Sequence, residues 1–235
     1  MPRKLPSTHV TDPDRIKEMQ AADEGFYAPY PPTREALRGY LRLYNETREG
    51  WDLPAELGVL CCPYRDTVTA YALPIPEGTW GAMEDPVKVL RRMASLLWID
   101  PRPQHALVRG IDRSRLADMI GVYFMLEGWA PPKGREKAAM ALHLGGQGYR
   151  FSEVEDRRET RTMMAVQIDG LIHTTTQYRD DPHNVRVMTY DPTSAEDEVA
   201  NRRIIGKLPR ILLEIAYGLT KLRPAYANLP EKENP

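Results

Sequence analysis

Three side chains in this sequence have the strongest claim to acid–base chemistry: His173, Glu127 and Asp181. A histidine titrates near neutral pH and a carboxylate can orient it, which is the smallest set a hydrolase or transferase of this type needs. His173 lies in VQIDGLIHTTTQY, residues 166–178, where Asp169-Gly170 suits a two-residue type I′ hairpin turn because both central positions require positive φ. That turn puts Val166 opposite His173. One surface of the hairpin would then carry Met164, Val166, Ile168, Leu171 and His173, mainly a core face. A histidine among such neighbours is more often buried and hydrogen-bonded than catalytic, and spacing alone neither joins it to Glu127 or Asp181 nor separates them.

Other candidate chemistry is fragmentary. After the hairpin, Arg179-Asp-Asp-Pro-His-Asn184 offers two carboxylates and His183, an inventory for a divalent cation that fits neither a calcium loop nor a zinc spacing. A polar loop using Asp, Pro and Asn for turn geometry is the simpler reading. The five histidines, His9, His105, His143, His173 and His183, never form a close pair, so neither metal nor cofactor is expected. Gly145-Gly-Gln-Gly148 follows a helical stretch and is not followed by Lys-Ser or Lys-Thr, so it reads as a helix cap and loop. Cys61-Cys62 sits in an apolar run where cysteines act as small hydrophobes. Strand ends open into clefts, which singles out Glu127-Gly-Trp129. The candidate binding set is therefore Trp129, Tyr178, Arg179 and His183.

Charge gives a second possibility. The whole chain is balanced, with 32 basic and 33 acidic residues. Locally, residues 88–115 hold seven bases, including Arg91 and Arg92, and residues 202–223 hold six, including Arg202 and Arg203. Gathered on one face they would bind phosphates, but a solvated helix face is the commoner use of such charges.

The elements that must position these side chains follow from periodicity. Thr11-Asp12-Pro13 caps a helix ending near Gly25, and Thr33 caps another with Leu37, Tyr40, Leu41 and Tyr44 on one stripe. Residues 57–73 form a strand pair broken at 63–66. Helical periodicity returns over 86–98, and a short strand at 106–109 and a short helix at 113–119 follow. The stretch 120–127 is apolar on both faces, as in a central strand covered on both sides. A weak helix spans 135–144, strands span 159–168, 171–178 and 185–190, and helices span 195–205 and 209–222, the last opening on Pro209. The prediction is a single α+β domain over 1–235, in which an antiparallel sheet is covered by the helices at 86–98 and 209–222. A helical segment over 1–50 packs on it and 229–235 is a tail.

At 235 residues, 42% hydrophobic, the chain can bury a core unaided. Adjacent cysteines exclude a disulfide scaffold, and neither a signal-like start nor a spanning apolar run is present. A cytoplasmic location without membrane contact is the expectation.

The order of elements after residue 120, with Glu127-Gly128-Trp129, Glu159 and Arg161 before Ala165-Val166 and Asp169-Gly170, and Gly206-Lys-Leu-Pro209, resembles a group of uncharacterised proteins of actinobacteria and their phages. The resemblance implies a small accessory protein, possible in phage infection, and no activity. The leading expectation is a non-enzymatic protein that binds another protein or itself, supported by 10 methionines and 12 tyrosines and by the lack of an assembled catalytic set. Nucleic-acid association through the basic stretches, and a hydrolase or transferase built on His173, are the alternatives.

Overall fold

The structure, a computed structural model, describes residues 32–64, 66–76, 78–80, 85–99, 116–135, 152, 154–191 and 207–220. Their elements are helix α1 (Arg34–Glu46), strands β1 (Glu56–Tyr64) and β2 (Thr67–Ala72), helix α2 (Pro86–Ile99), strands β3 (Met119–Ala130), β4 (Arg158–Gln167), β5 (Ile172–Tyr178) and β6 (Asp181–Tyr190), and helix α3 (Lys207–Thr220). The fold is α+β, as periodicity predicted. All strand pairs are antiparallel in one curled sheet of order β2-β1-β3-β4-β5-β6.

The sheet is covered on both faces. α2 and α3 pack on one face over Leu57, Val59, Val122, Phe124 and Val166, and α1 packs on the other through Leu37 and Leu41 over Leu60, Tyr123, Met163 and Ala165. Double coverage explains why β3 is buried at every position from Met119 to Met125. Cys61 and Cys62, both buried, point to opposite faces and each joins one core. Close approach sets one residue identity at the centre: a Cβ on Gly121 would lie 2.3 Å from the carbonyl oxygen of Val166. The Thr33 cap accepts from the Ala36 amide, as its position at the head of the apolar stripe predicted.

Two expectations need correction. The hairpin exists, but its register differs by one residue: Val166 pairs with Ile172 and Ala165 with His173. The Gln167 amide donates to the Leu171 carbonyl and the Gly170 amide to the Gln167 carbonyl, closing a three-residue loop with Gly170 at φ 93°. Asp-Gly serves this turn-plus-bulge loop as well as the two-residue one, and Asp169 adds a bond from the Leu171 amide to its Oδ1. Because side chains alternate, the slip moves His173 away from Val166 and onto the α1 face with Ala165. Secondly, Pro182, His183 and Asn184 belong to β6, which begins at Asp181, not to a polar loop. An edge strand tolerates that proline because one row of its backbone groups lacks a strand partner.

Smaller differences concern boundaries. α3 starts two residues before Pro209, which stays in the first turn where its missing N–H breaks no helical bond. Met119, expected to end a short helix, opens β3. The helices expected at 12–24 and 195–205, the strand at 106–109, almost all of the helix at 135–144 and the tail at 229–235 lie outside the described residues. Among the described residues no helix is long and apolar enough to cross a membrane.

Candidate functional site

The sheet face under α1 is unusual in its polarity. His173, Thr175, Gln177, Arg161 and Gln167 are all buried there, interleaved with Met163 and Ala165. His173 is fully buried and held at both nitrogens, with Nδ1 3.0 Å from Thr189 Oγ1 and Nε2 3.3 Å from Gln167 Oε1. A carboxamide oxygen only accepts, so Nε2 carries the proton and Nδ1 accepts from the threonine hydroxyl. Burial, aided by the Arg34 and Arg38 guanidiniums, pushes its pKa down to about 4. The imidazole is neutral and has no unused nitrogen near neutral pH.

Neither carboxylate considered with it is close. His173 pairs with Ala165, whereas Glu127 pairs with Arg161, four residues away along β4 or about 13 Å at ~3.3 Å per residue. Asp181 pairs with Tyr178, five residues along β5 from His173, and is exposed, with Asn184 Nδ2 donating to it at 3.1 Å.

Glu127 has a different role. Its Oε1 accepts from Arg161 Nη2 at 2.8 Å and Nε at 3.0 Å, and its Oε2 accepts from the Asp52 amide at 2.6 Å and the Leu53 amide at 3.3 Å. Arg161, 1% exposed, donates from Nη1 to the Arg48 carbonyl at 3.1 Å and from Nη2 to the Gly50 carbonyl. The ion pair thus grips the loop between α1 and β1 by its carbonyls on one side and its amides on the other. Gly50 (φ 79°) and Asp52 (φ 65°) supply the left-handed backbone this path requires. The Trp51 ring lies 4.6 Å from the Arg161 guanidinium carbon.

At the same end of the sheet, guanidiniums and aromatic rings stack. Arg157 lies over Trp129 at 4.3 Å, Arg158 over Tyr178 at 3.8 Å, Arg186 over Tyr178 at 5.9 Å and Arg179 over Trp51 at 5.7 Å. Carboxylates interleave: Arg158 meets Asp180 in two-pronged fashion, the closest contact 2.7 Å, and Arg179 pairs with Glu159 and, at 3.4 Å, with Asp52. The Arg158 pairing holds the Asp180 carboxyl below its usual range. Of the four residues proposed for binding, Trp129 and Arg179 lie with Trp51 and Arg161 on the α1 side of this end of the sheet, whereas Tyr178, next to Gln177 of that face, points by strand alternation to the other side with Arg158 and Arg186. His183 is exposed on β6, close in sequence but without a contact in these stacks.

Arg91 and Arg92 are exposed on α2. Arg202 and Arg203 lie outside the described residues, and in the second basic stretch Arg210 pairs with Glu214 at 2.9 Å. Among the described residues no group of three or more His, Cys, Asp or Glu side chains stands together as a metal site. Sequence reasoning missed Arg161, Trp51, Arg48 and Glu56 as site residues. The available signal was parity: Glu127 and Arg161 fall on alternate positions in register with the buried Tyr123, Met125 and Met163, where charges demand partners. Comparison with protein-family models, with curated proteins and with solved structures found no match.

Proposed function

We propose that this protein works without catalysis, by binding another protein chain through the arginine–aromatic rim at the end of β3, β4, β5 and β6. One observation carries the reading: Trp129, Tyr178 and Trp51 are each stacked by a guanidinium at one end of the sheet. Tryptophan, tyrosine and arginine dominate the residues that carry binding energy at protein interfaces, because each combines a large flat apolar area with a polar tip. Trp129 remains 37% exposed. The Glu127–Arg161 grip below holds the Trp51 backbone in place, so little ordering entropy is lost on contact.

The same contacts argue against a polyanion as the partner. A polyanion draws on many uncompensated positive charges at once, and here Arg158, Arg161 and Arg179 are each matched by a carboxylate, which leaves only Arg157 and Arg186 among the stacked arginines. They argue against a histidine-based hydrolase too, since His173 is buried, fully bonded and far from either carboxylate.

The reading is tested by partner capture from actinobacterial cells, the setting that the sequence resemblance suggests, after nuclease treatment. Wild type is compared with Trp129→Ala/Arg157→Ala and with Arg91→Ala/Arg92→Ala, all checked for unchanged melting temperature. A protein retained by wild type and by the α2 variant but lost by the rim variant supports the reading. Equal capture by all three, or loss on nuclease treatment alone, overturns it.

A further inference from the structure

The loop after α1, the start of β1 and residues 73–76 and 78–80 line a cleft of about 510 Å³. Its accessible apolar wall is formed by the half-buried Ile75 and Trp80, with the buried Leu57 and Leu73 behind them. Its head is polar, where Arg48 faces Glu56. The two ends differ in what they leave available. Glu56 is occupied: its Oε1 accepts from the Tyr44 and Tyr123 hydroxyls, each at 2.8 Å, and its Oε2 accepts from Arg48 Nη1 at 2.7 Å. Arg48 spends one N–H on that bond, and its remaining donors meet no acceptor among the described residues. Its side chain is only 20% exposed.

We propose that this cleft binds a small amphipathic monocarboxylate, with the anion on the Arg48 guanidinium and an aliphatic or aromatic body against Ile75 and Trp80. The volume is within the range of roughly 300–1,000 Å³ typical of small-molecule sites, which are mostly apolar with a few placed polar groups. A planar guanidinium matches a carboxylate two-pronged, and the bond strengthens where water is partly excluded. A cationic ligand finds three of the four Glu56 acceptor sites already taken. A dianion meets repulsion from Glu56 beside it, which limits the ligand to one negative charge. The Arg48 backbone is fixed by its bond from Arg161, so the guanidinium is presented from a held loop.

The test titrates the full chain with octanoate, octanol and octylammonium by calorimetry, in wild type, Arg48→Gln and Ala72→Trp. Ala72 is exposed on β2 and lines the cleft, so a tryptophan there fills it without entering the core. Octanoate is expected to bind with a Kd of about 1 mM or tighter, and octanol about 10-fold more weakly. Arg48→Gln should weaken octanoate about 10-fold and leave octanol unchanged, and Ala72→Trp should abolish both. No octanoate binding at about 10 mM, equal binding by Arg48→Gln, or a preference for octylammonium overturns the proposal. Should Arg48→Gln fail to fold, Ala72→Trp decides alone: binding lost supports the site and binding retained overturns it.

Discussion

Lowering the pH should unfold this protein in part through one buried imidazole. His173 is neutral in the native state, with its pKa pushed from 6.5 down to about 4. Above pH 6.5 neither the folded nor the unfolded chain protonates it, and its contribution to stability is intact. As pH falls through 6.5 the unfolded chain takes up a proton that the folded chain refuses, so stability declines until about pH 4, below which both states are protonated. The full difference amounts to roughly 3 kcal/mol at about 1.4 kcal/mol per pH unit, of which about 2 kcal/mol falls between pH 7 and pH 5. Urea unfolding of wild type and of His173→Gln across that interval isolates the effect, since the carboxylates that also titrate there are common to both. The wild type should lose about 2 kcal/mol more than the variant. Parallel pH profiles, agreeing within about 0.5 kcal/mol, would refute the claim that this imidazole is buried and neutral.

Three further outcomes follow from the geometry. Glu127→Ala leaves the Arg161 guanidinium buried without its carboxylate and should cost about 3–5 kcal/mol in chemical denaturation, whereas Glu127→Leu/Arg161→Met should cost clearly less than the sum of the single changes. Gly170→Val places a β-branched residue at φ 93° and should lower stability by about 2 kcal/mol or more, read as a fall in melting temperature without a change in the circular dichroism of the folded protein. Gly121→Ala drives a methyl group to 2.3 Å from the Val166 carbonyl oxygen, which cannot move without breaking the β3–β4 ladder, and should prevent soluble expression where Gly39→Ala, with open space around it, should not.

Much of the fold is written in alternation and capping. Thr33 followed by the Leu37, Tyr40, Leu41, Tyr44 stripe specifies α1 and the face it buries, and the doubly apolar run at 120–125 announces a central strand. The register of the β4–β5 hairpin was not legible, because Asp-Gly satisfies two loops whose registers differ by one residue. That single slip carried His173 to the opposite face. The site was legible only in pieces. Trp129, Tyr178 and Arg179 stand out as aromatic and basic residues at strand ends, but Arg48, Trp51 and Arg161 depend on a loop docking across β3 and β4, more than 100 residues away for the contact between Arg48 and Arg161. Buried charge is hard to foresee for the same reason: a glutamate and an arginine in strands look like a solvated face until the partner that neutralises them is located.

The central claim is that the rim holds a partner protein, and site-directed photo-crosslinking tests it most directly. A photoreactive amino acid replaces Arg157, beside Trp129, or Arg91 on α2, and cells producing each protein are irradiated. The account predicts one discrete heavier adduct from the position of Arg157, abolished by adding Trp129→Ala, and none from the position of Arg91. Adducts from Arg91 alone, or equal adducts from both positions, would contradict it.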